Sequence, residues 1–165
     1  MKEVMELLLL ELLKNSKRSD RELSKVLRVT QPTVTRARRN LLREGLIQEF
    51  TVIPNFAKMG YEIMAVTIAK ATVTLTLDQQ EKAKKLVLED PQVIFVASAE
   101  GMGKNGIMIS LHKSYSDYQS FMRNLKENSG GYMEEVDSML ISLEPSKIVK
   151  PLSLAYLAKH ETRAR

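Results

Sequence analysis

The sequence predicts an α+β chain of two modules. An N-terminal winged helix-turn-helix precedes a ferredoxin-like β-α-β-β-α-β domain, paired with a second copy as a dimeric α/β sandwich. Three observations predict this. Residues 19–47 carry two helix starts and one helix stop separated by short turns. After Gly60 the apolar spacing changes from three helices to strands alternating with two helices. The length, 165 residues with 44% hydrophobic content, is enough for two small cores.

The first helix is expected at Lys2–Leu13, with a wide apolar face from Leu9, Leu10, Leu12 and Leu13. Glu3, Glu6 and Glu11 interrupt the leucine run, so it reads as an amphipathic helix and not an export signal or membrane span. Asn15–Ser19 is a polar turn. Ser19 and Glu22 have capping-box spacing and open a helix over Asp20–Leu27, with Leu23, Val26 and Leu27 facing inward. Arg28–Thr30 is the short turn. Thr30 caps a third helix over Gln31–Glu44, and Pro32 sits in its first turn, where a missing N–H costs nothing. Gly45 closes that helix in the left-handed conformation. Leu46–Ile53 has strand character and stops at Pro54, as a wing or a strand leading out would.

Residues 1–54 therefore form the first module and 55–60 a linker. The second module, 61–145, begins with a β-rich run at Tyr61–Val73. Thr76 and Gln79 have capping-box spacing before a helix at Asp78–Glu89. Strands follow at Val93–Ala99 and Ile107–Leu111, around the glycine-rich loop Gly101–Gly106. Ser114 and Asp117 open a helix to Asn128, a turn covers Asn128–Gly131, and Val136–Leu143 is the last strand. Two helices cover one face of such a sheet. Ile63, Val66, Ile94, Val96, Met108 and Ile141 supply apolar side chains, and the uncovered face is expected to be a subunit interface. Residues 146–165 are a tail whose apolar stretch, Leu152–Leu157, is expected to dock on a neighbour.

Charge is unevenly placed. Residues 1–56 hold eleven Lys and Arg against seven Asp and Glu, whereas residues 57–165 hold fourteen against thirteen. Within Lys14–Arg43 the count is ten basic against two acidic, the footprint of a polyanion partner. The absence of Cys excludes disulfides and thiolate metal sites and is compatible with a reducing cytoplasm. His112 and His160 lack ligand spacing, so no metal site is expected. No Gly-x-Ser-x-Gly elbow occurs. Gly101 to Gly106 spells G-x-G-x-x-G, but a strand follows it where a dinucleotide fingerprint needs a helix, so no nucleotide cofactor is expected. His112, at a strand end, is expected at the surface or an interface.

At about 100° per residue, Pro32, Thr35, Arg36, Arg39, Asn40 and Arg43 cluster opposite Val34 and Leu41. A recognition helix lies in the major groove with its N-terminal residues at base edges. Gln31, Thr33, Thr35 and Arg36 are therefore the candidate base readers, and Arg39, Arg43, Arg21, Lys25 and Lys17 the candidate phosphate contacts. Arg38 falls toward the apolar side and is expected to snorkel at its edge.

The chain resembles the Lrp/AsnC, or feast/famine, regulators. The match is carried by Leu7–Leu13, Glu22-Leu23-Ser24, Thr30-Gln31-Pro32-Thr33-Val34, Leu41, Gly45-Leu46-Ile47, Met59-Gly60 and the β-α-β-β-α-β half, and it spans about residues 2–157. The resemblance implies DNA binding as a homodimer or a ring of dimers, often tuned by an amino acid bound between subunits. It also implies a small-molecule loop at Ser98, Glu100, Gly101, Gly103, Asn105 and Gly106. Two departures stand out. Ala37 and Arg38 replace the usual Arg and aliphatic residue, with Arg36 placed to supply the cation. Gly103-Lys104-Asn105-Gly106 lacks the acidic residue of the usual Gly-x-x-Asp, the carboxylate that an amino acid's ammonium group needs.

The expectation is thus a cytoplasmic, sequence-specific regulator of double-stranded DNA, without enzymatic activity or cofactor and without a membrane partner. The alternative is an enzyme like the sirohaem decarboxylases, which resemble this family and use the same two modules; His112 would be its nominal proton donor. The positive charge lies on the helix-turn-helix and not in the second half, which favours DNA.

Overall fold

The computed structural model describes residues 2–71, 76–129 and 133–163. They form two units. One comprises residues up to Ile53 together with those from Pro151 on, and the other runs from Pro54 to Lys150.

The first unit is a helical bundle: α1 (Lys2–Lys14), α2 (Asp20–Leu27), α3 (Gln31–Arg43) and the C-terminal α6 (Ala155–Arg163). Met5, Leu8, Leu12, Leu23, Val34, Ala37 and Leu41 form its core. Each boundary has a local cause. Ser19 Oγ accepts from Glu22 N–H and the Glu22 carboxylate accepts from Ser19 N–H, completing the capping box. Arg28 ends α2 at φ 55°, a left-handed position held by an N–H···O bond to Ser24. Thr30 caps α3, Pro32 lies in its first turn, and Gly45 at φ 70° lets the chain turn away.

Two expectations are corrected in this unit. Leu46–Ile53 pairs with no strand among the described residues. Its strand composition finds no ladder partner, and Ile47 packs on the core while Leu46, Val52 and Ile53 stay exposed. The tail does not remain a separate segment either. From Pro151 on it belongs to the first unit, where α6 packs on α1 and buries Ala158 completely.

The second unit is a four-stranded antiparallel sheet in the order β2-β3-β1-β4, with β1 Ile63–Ala71, β2 Val93–Gly101, β3 Lys104–His112 and β4 Met133–Ser142. The helices α4 (Leu77–Leu88) and α5 (Tyr115–Asn128) complete the β-α-β-β-α-β order. Ser114 Oγ accepts from Asp117 N–H at the start of α5. Helix α4 starts one residue before the expected Asp78; the expected turn at 128–131 and the end of the β-rich run at Val73 extend outside the described residues. Residues 57–59, inside the expected linker, form a short 3-10 helix that closes at Gly60 with φ 85°.

Cross-strand register sorts the two sheet faces. Met108 stands opposite Thr67 and Val96 and packs with Phe121, Met122 and Leu125 of α5. Met108 and Val96 therefore face the helices and not the uncovered side. A bulge between Val93 and Phe95 shifts the alternation of β2, so Phe95 and Ala97, paired with Ile109 and Ile107, take the outer face. Val66, Met139 and Ile141 join them there, Met139 being 71% exposed.

His112 is not at a surface. It is fully buried, its ring 5.3 Å from Tyr118 and 5.0 Å from Phe121, with Nε2 2.8 Å from the Ser110 hydroxyl. Nδ1 has no partner among the described residues. Burial pushes its pKa down, opposed by the Asp117 and Asp90 carboxylates. The folded state therefore holds His112 neutral, while the unfolded chain takes up a proton below about pH 6.5. Stability is expected to fall as pH drops through that value toward the lower folded pKa, with a slope approaching about 1.4 kcal/mol per pH unit. Denaturant unfolding between pH 7.5 and 5 reads this slope, and His112→Phe should flatten it. Glu11 and Asp20, both held below their usual range, lose their contributions only at lower pH, after falling below the unfolded carboxylate values.

Candidate nucleic-acid interface

Helix α3 presents two sides. Val34, Ala37 and Leu41 are buried, while Gln31, Thr33, Thr35, Arg36, Arg39 and Arg43 are exposed. The 3.6-residue period brings Arg36, Arg39 and Arg43 onto one face. Arg21 and Lys25 on α2 and Arg28 at its C-cap are all exposed. Lys17 is exposed in the preceding turn. Asn40 departs from the expected cluster. Only 8% exposed, it lies on the packed side of α3, because it follows Ala37 by three residues, just under one turn, and precedes Leu41.

The acids of this region are committed elsewhere, which leaves the cationic face uncompensated. Asp20 Oδ1 accepts from Arg38 Nε at 2.9 Å, and Oδ2 accepts from the Thr35 hydroxyl at 2.6 Å. Burial would raise the Asp20 pKa, but the hydrogen bonds from Thr35 and Arg38 and the Arg38 charge hold it below the usual range. Glu22 is held low by its hydrogen bonds from the Ser19 side chain and backbone in the cap. Glu11 binds Lys14 and Arg18. Among the described residues no ion pair is made by Lys17, Arg21, Lys25, Arg28, Arg36 or Arg39; Arg43 has only a 3.9 Å contact with exposed Glu44.

Arg38 does more than snorkel. Its guanidinium binds Asp20, donates to the Arg18 carbonyl at 3.3 Å and lies 5.8 Å above the Phe50 ring. It ties the start of α2, the turn before it and the segment after α3 to the middle of α3. Thr35 shares Asp20 with it. The hydroxyl proposed for a base edge is thus engaged in fixing α3 against α2, and its methyl group is what remains for a groove. Thr33 is engaged with Thr30, its hydroxyl 2.8 Å away. Gln31 and Arg36 remain the long, exposed side chains near the helix N-terminus. Two features were missed by the sequence reading. The cation at Arg28 was countable in the basic block but lay in the turn. Asp20 had no signal beyond being one of two acids in that block.

The six candidate ligand residues separate. Met102 and Gly103, at φ 54° and 71°, form the tight turn between β2 and β3, and Gly101 pairs with Lys104. The expected six-residue loop is a two-residue hairpin turn, so Ser98, Glu100, Gly101, Asn105 and Gly106 belong to strands. Ser98, Asn105 and Gly106 line a cavity of about 470 Å³ between the sheet and α4; Glu100, Gly101 and Gly103 do not. His112, buried beneath α5, does not line this cavity.

Comparison with known proteins agrees with this arrangement. Residues 3–48 match the winged helix-turn-helix DNA-binding family. The chain is 30% identical over 135 residues to the HTH-type transcriptional regulator PH0061 of Pyrococcus horikoshii, covering 78% of this chain and 83% of that one. The crystal structure of PH0061 superposes with a TM-score of 0.75 at 25% identity, over 91% of this chain and 95% of the other. An AsnC family regulator from Agrobacterium tumefaciens gives a TM-score of 0.75 at 15% identity, over 95% and 99% of the chains. The regulator NMB0573 of Neisseria meningitidis, in complex with L-Met, gives 0.75 at 16% identity, over 93% and 97%. At the last two identities the likeness is one of fold. No helix among the described residues is long and apolar enough to cross a membrane.

Proposed function

The chain belongs to the helix-turn-helix transcriptional regulators with the Lrp/AsnC fold, and from this premise we propose that it reads a specific double-stranded DNA site through α3. The observation that carries the reading is the uncompensated cationic face of α2 and α3. The first unit holds fourteen Lys and Arg against eight Asp and Glu, whereas the second holds eleven against twelve. A polyanion is attracted to the unit with the surplus, and oriented helices turn that attraction into register.

In this proposal Gln31 and Arg36 read bases, the Thr33 and Thr35 methyl groups contact the groove, and Arg39, Arg43, Arg21, Lys25 and Lys17 hold phosphates, with Arg28 beside them. Each phosphate contact releases counterions, so log K against log salt falls by about 0.9 per contact. Replacing Arg39 by alanine should reduce that slope by about one unit and weaken all duplexes alike. A change confined to one base position would contradict its assignment to phosphate.

Assembly is proposed through the outer sheet face. Phe95, Met139 and Ile141 are 50%, 71% and 39% exposed there, an apolar surface that a second copy would remove from water. Sedimentation of the full chain at micromolar concentration tests this, and a monomer contradicts it. A small-molecule effector completes the proposal. The Neisseria regulator holds L-Met; in this chain the ammonium-binding carboxylate is absent from Gly103–Gly106, and a different ligand chemistry is favoured. The decarboxylase alternative gains no support, because its proton donor, His112, is sealed in the core. The proposed place of action is the cytoplasm.

A further inference from the structure

We infer that the cavity between the sheet and α4 binds a small carboxylate with an apolar body and no ammonium group. The inference deepens the effector reading above and rests on it only for its consequence for DNA.

The cavity, about 470 Å³, falls within the range of roughly 300–1,000 Å³ typical of small-molecule sites. Helix α4 meets the sheet at β2, with Leu86 and Val87 packed on the core cluster, and the cavity lies alongside that contact. Val87, Val96, Leu125, Met108 and Met133 supply an apolar lining, and the two methionines let it adapt to the shape of a guest. Polar groups are few. The Thr67 hydroxyl is already bonded to Ser138 at 2.8 Å, and Ser98 and Asn105 lie on the strand side.

Charge decides the ligand class. Among the described residues Lys84 is the only charged one in the lining, which contains no carboxylate. Its neighbours on the helix are paired, Lys82 with Asp78 at 2.8 Å and Lys85 with Glu89 at 3.7 Å. Lys84 makes no ion pair among the described residues, and it lines the cavity while remaining exposed to solvent. An anionic head at Lys84 with its apolar body below satisfies both parts of the site. An amine or a zwitterion brings a cation that no lining group receives, and desolvating it without a partner is costly.

Gly106 offers a clean way to close the space. Its backbone has no positive φ, and an added Cβ would meet only the Ala69 carbonyl oxygen at 3.7 Å, an ordinary contact. A larger side chain there enters the cavity without backbone strain.

The test is calorimetric titration of the full chain without DNA, using 4-phenylbutyrate, 4-phenylbutylamine and L-phenylalanine. Phenylbutyrate is expected to bind at least about tenfold more tightly than the other two. Lys84→Met should weaken phenylbutyrate by about tenfold or more and leave the amine unchanged, and Gly106→Leu should abolish binding of all three. Circular dichroism of both variants verifies that the fold is kept. No phenylbutyrate binding at millimolar concentration, equal binding of acid and amine, or binding indifferent to both substitutions overturns the inference, and none of these bears on DNA recognition. Carboxylate binding that depends on Lys84 but leaves DNA affinity unchanged upholds the site and removes only its effector role.

Discussion

Replacing Arg36 by alanine is expected to cost roughly 1–3 kcal/mol of affinity for the cognate duplex and to relax preference at one base position. Arg36 is exposed one turn into α3, on the face that carries Arg39 and Arg43, and no acid pairs with it among the described residues. Its fork is free to meet two acceptors of a guanine edge. Truncation leaves the α3 packing intact, because the buried side of the helix is Val34, Ala37 and Leu41. The variant should therefore unfold at the wild-type denaturant midpoint. Competition binding against duplexes altered at each position separates the outcomes. A loss concentrated at one position makes Arg36 a base reader; a uniform loss makes it a phosphate contact.

The second large effect lies on the opposite side of the same helix. Leu41 is fully buried in the cluster that joins α1, α2 and α3, together with Leu8, Leu23 and Val34. Leu41→Ala removes apolar contact and leaves a void, and it should destabilise the helical unit by about 2–5 kcal/mol. Unlike Arg36→Ala, it should lower the denaturant midpoint, and DNA binding should weaken only in proportion to the unfolded fraction. An unchanged midpoint would show that the segment after α3 or α6 refills the space.

The helical half of the fold was legible because its signals are local. Ser19 with Glu22, Thr30 with Pro32, and Gly45 each act within a turn, and each forms the cap its chemistry dictates. The β-α-β-β-α-β order was legible for a similar reason, since strand composition and helix caps alternate along the chain. What failed depended on partners distant in sequence. Strand character at Leu46–Ile53 cannot say whether a ladder partner exists. The placement of Val96 turned on a bulge near Ile94, which reverses the faces of β2 and sets Val96 beside Met108 under the helices. His112, with a polar ring near a strand end, gave no sign that Tyr118 and Phe121 would enclose it.

The candidate site shows the same division. Exposed Arg36, Arg39, Arg21 and Lys25 follow from helical period alone. The engagement of Thr35 by Asp20 does not, because it spans 15 residues and depends on how α2 meets α3. The angular position of Arg38 predicts only an edge residue; its bonds to Asp20 and the Arg18 carbonyl make it a positioning residue for α3. The ligand candidates separated because Met102 accepts a positive φ and shortens the loop to two residues. Only Ser98, Asn105 and Gly106 reach the cavity.

The central claim is specific recognition of DNA by α3, and fluorescence anisotropy tests it most directly. The duplex upstream of the chain's own gene is compared with a scrambled duplex of equal length over a salt series. The account predicts steep salt dependence for both and tighter binding to the upstream duplex, by about 10³-fold or more where a full site is present. Absence of binding to either duplex at low salt would contradict it.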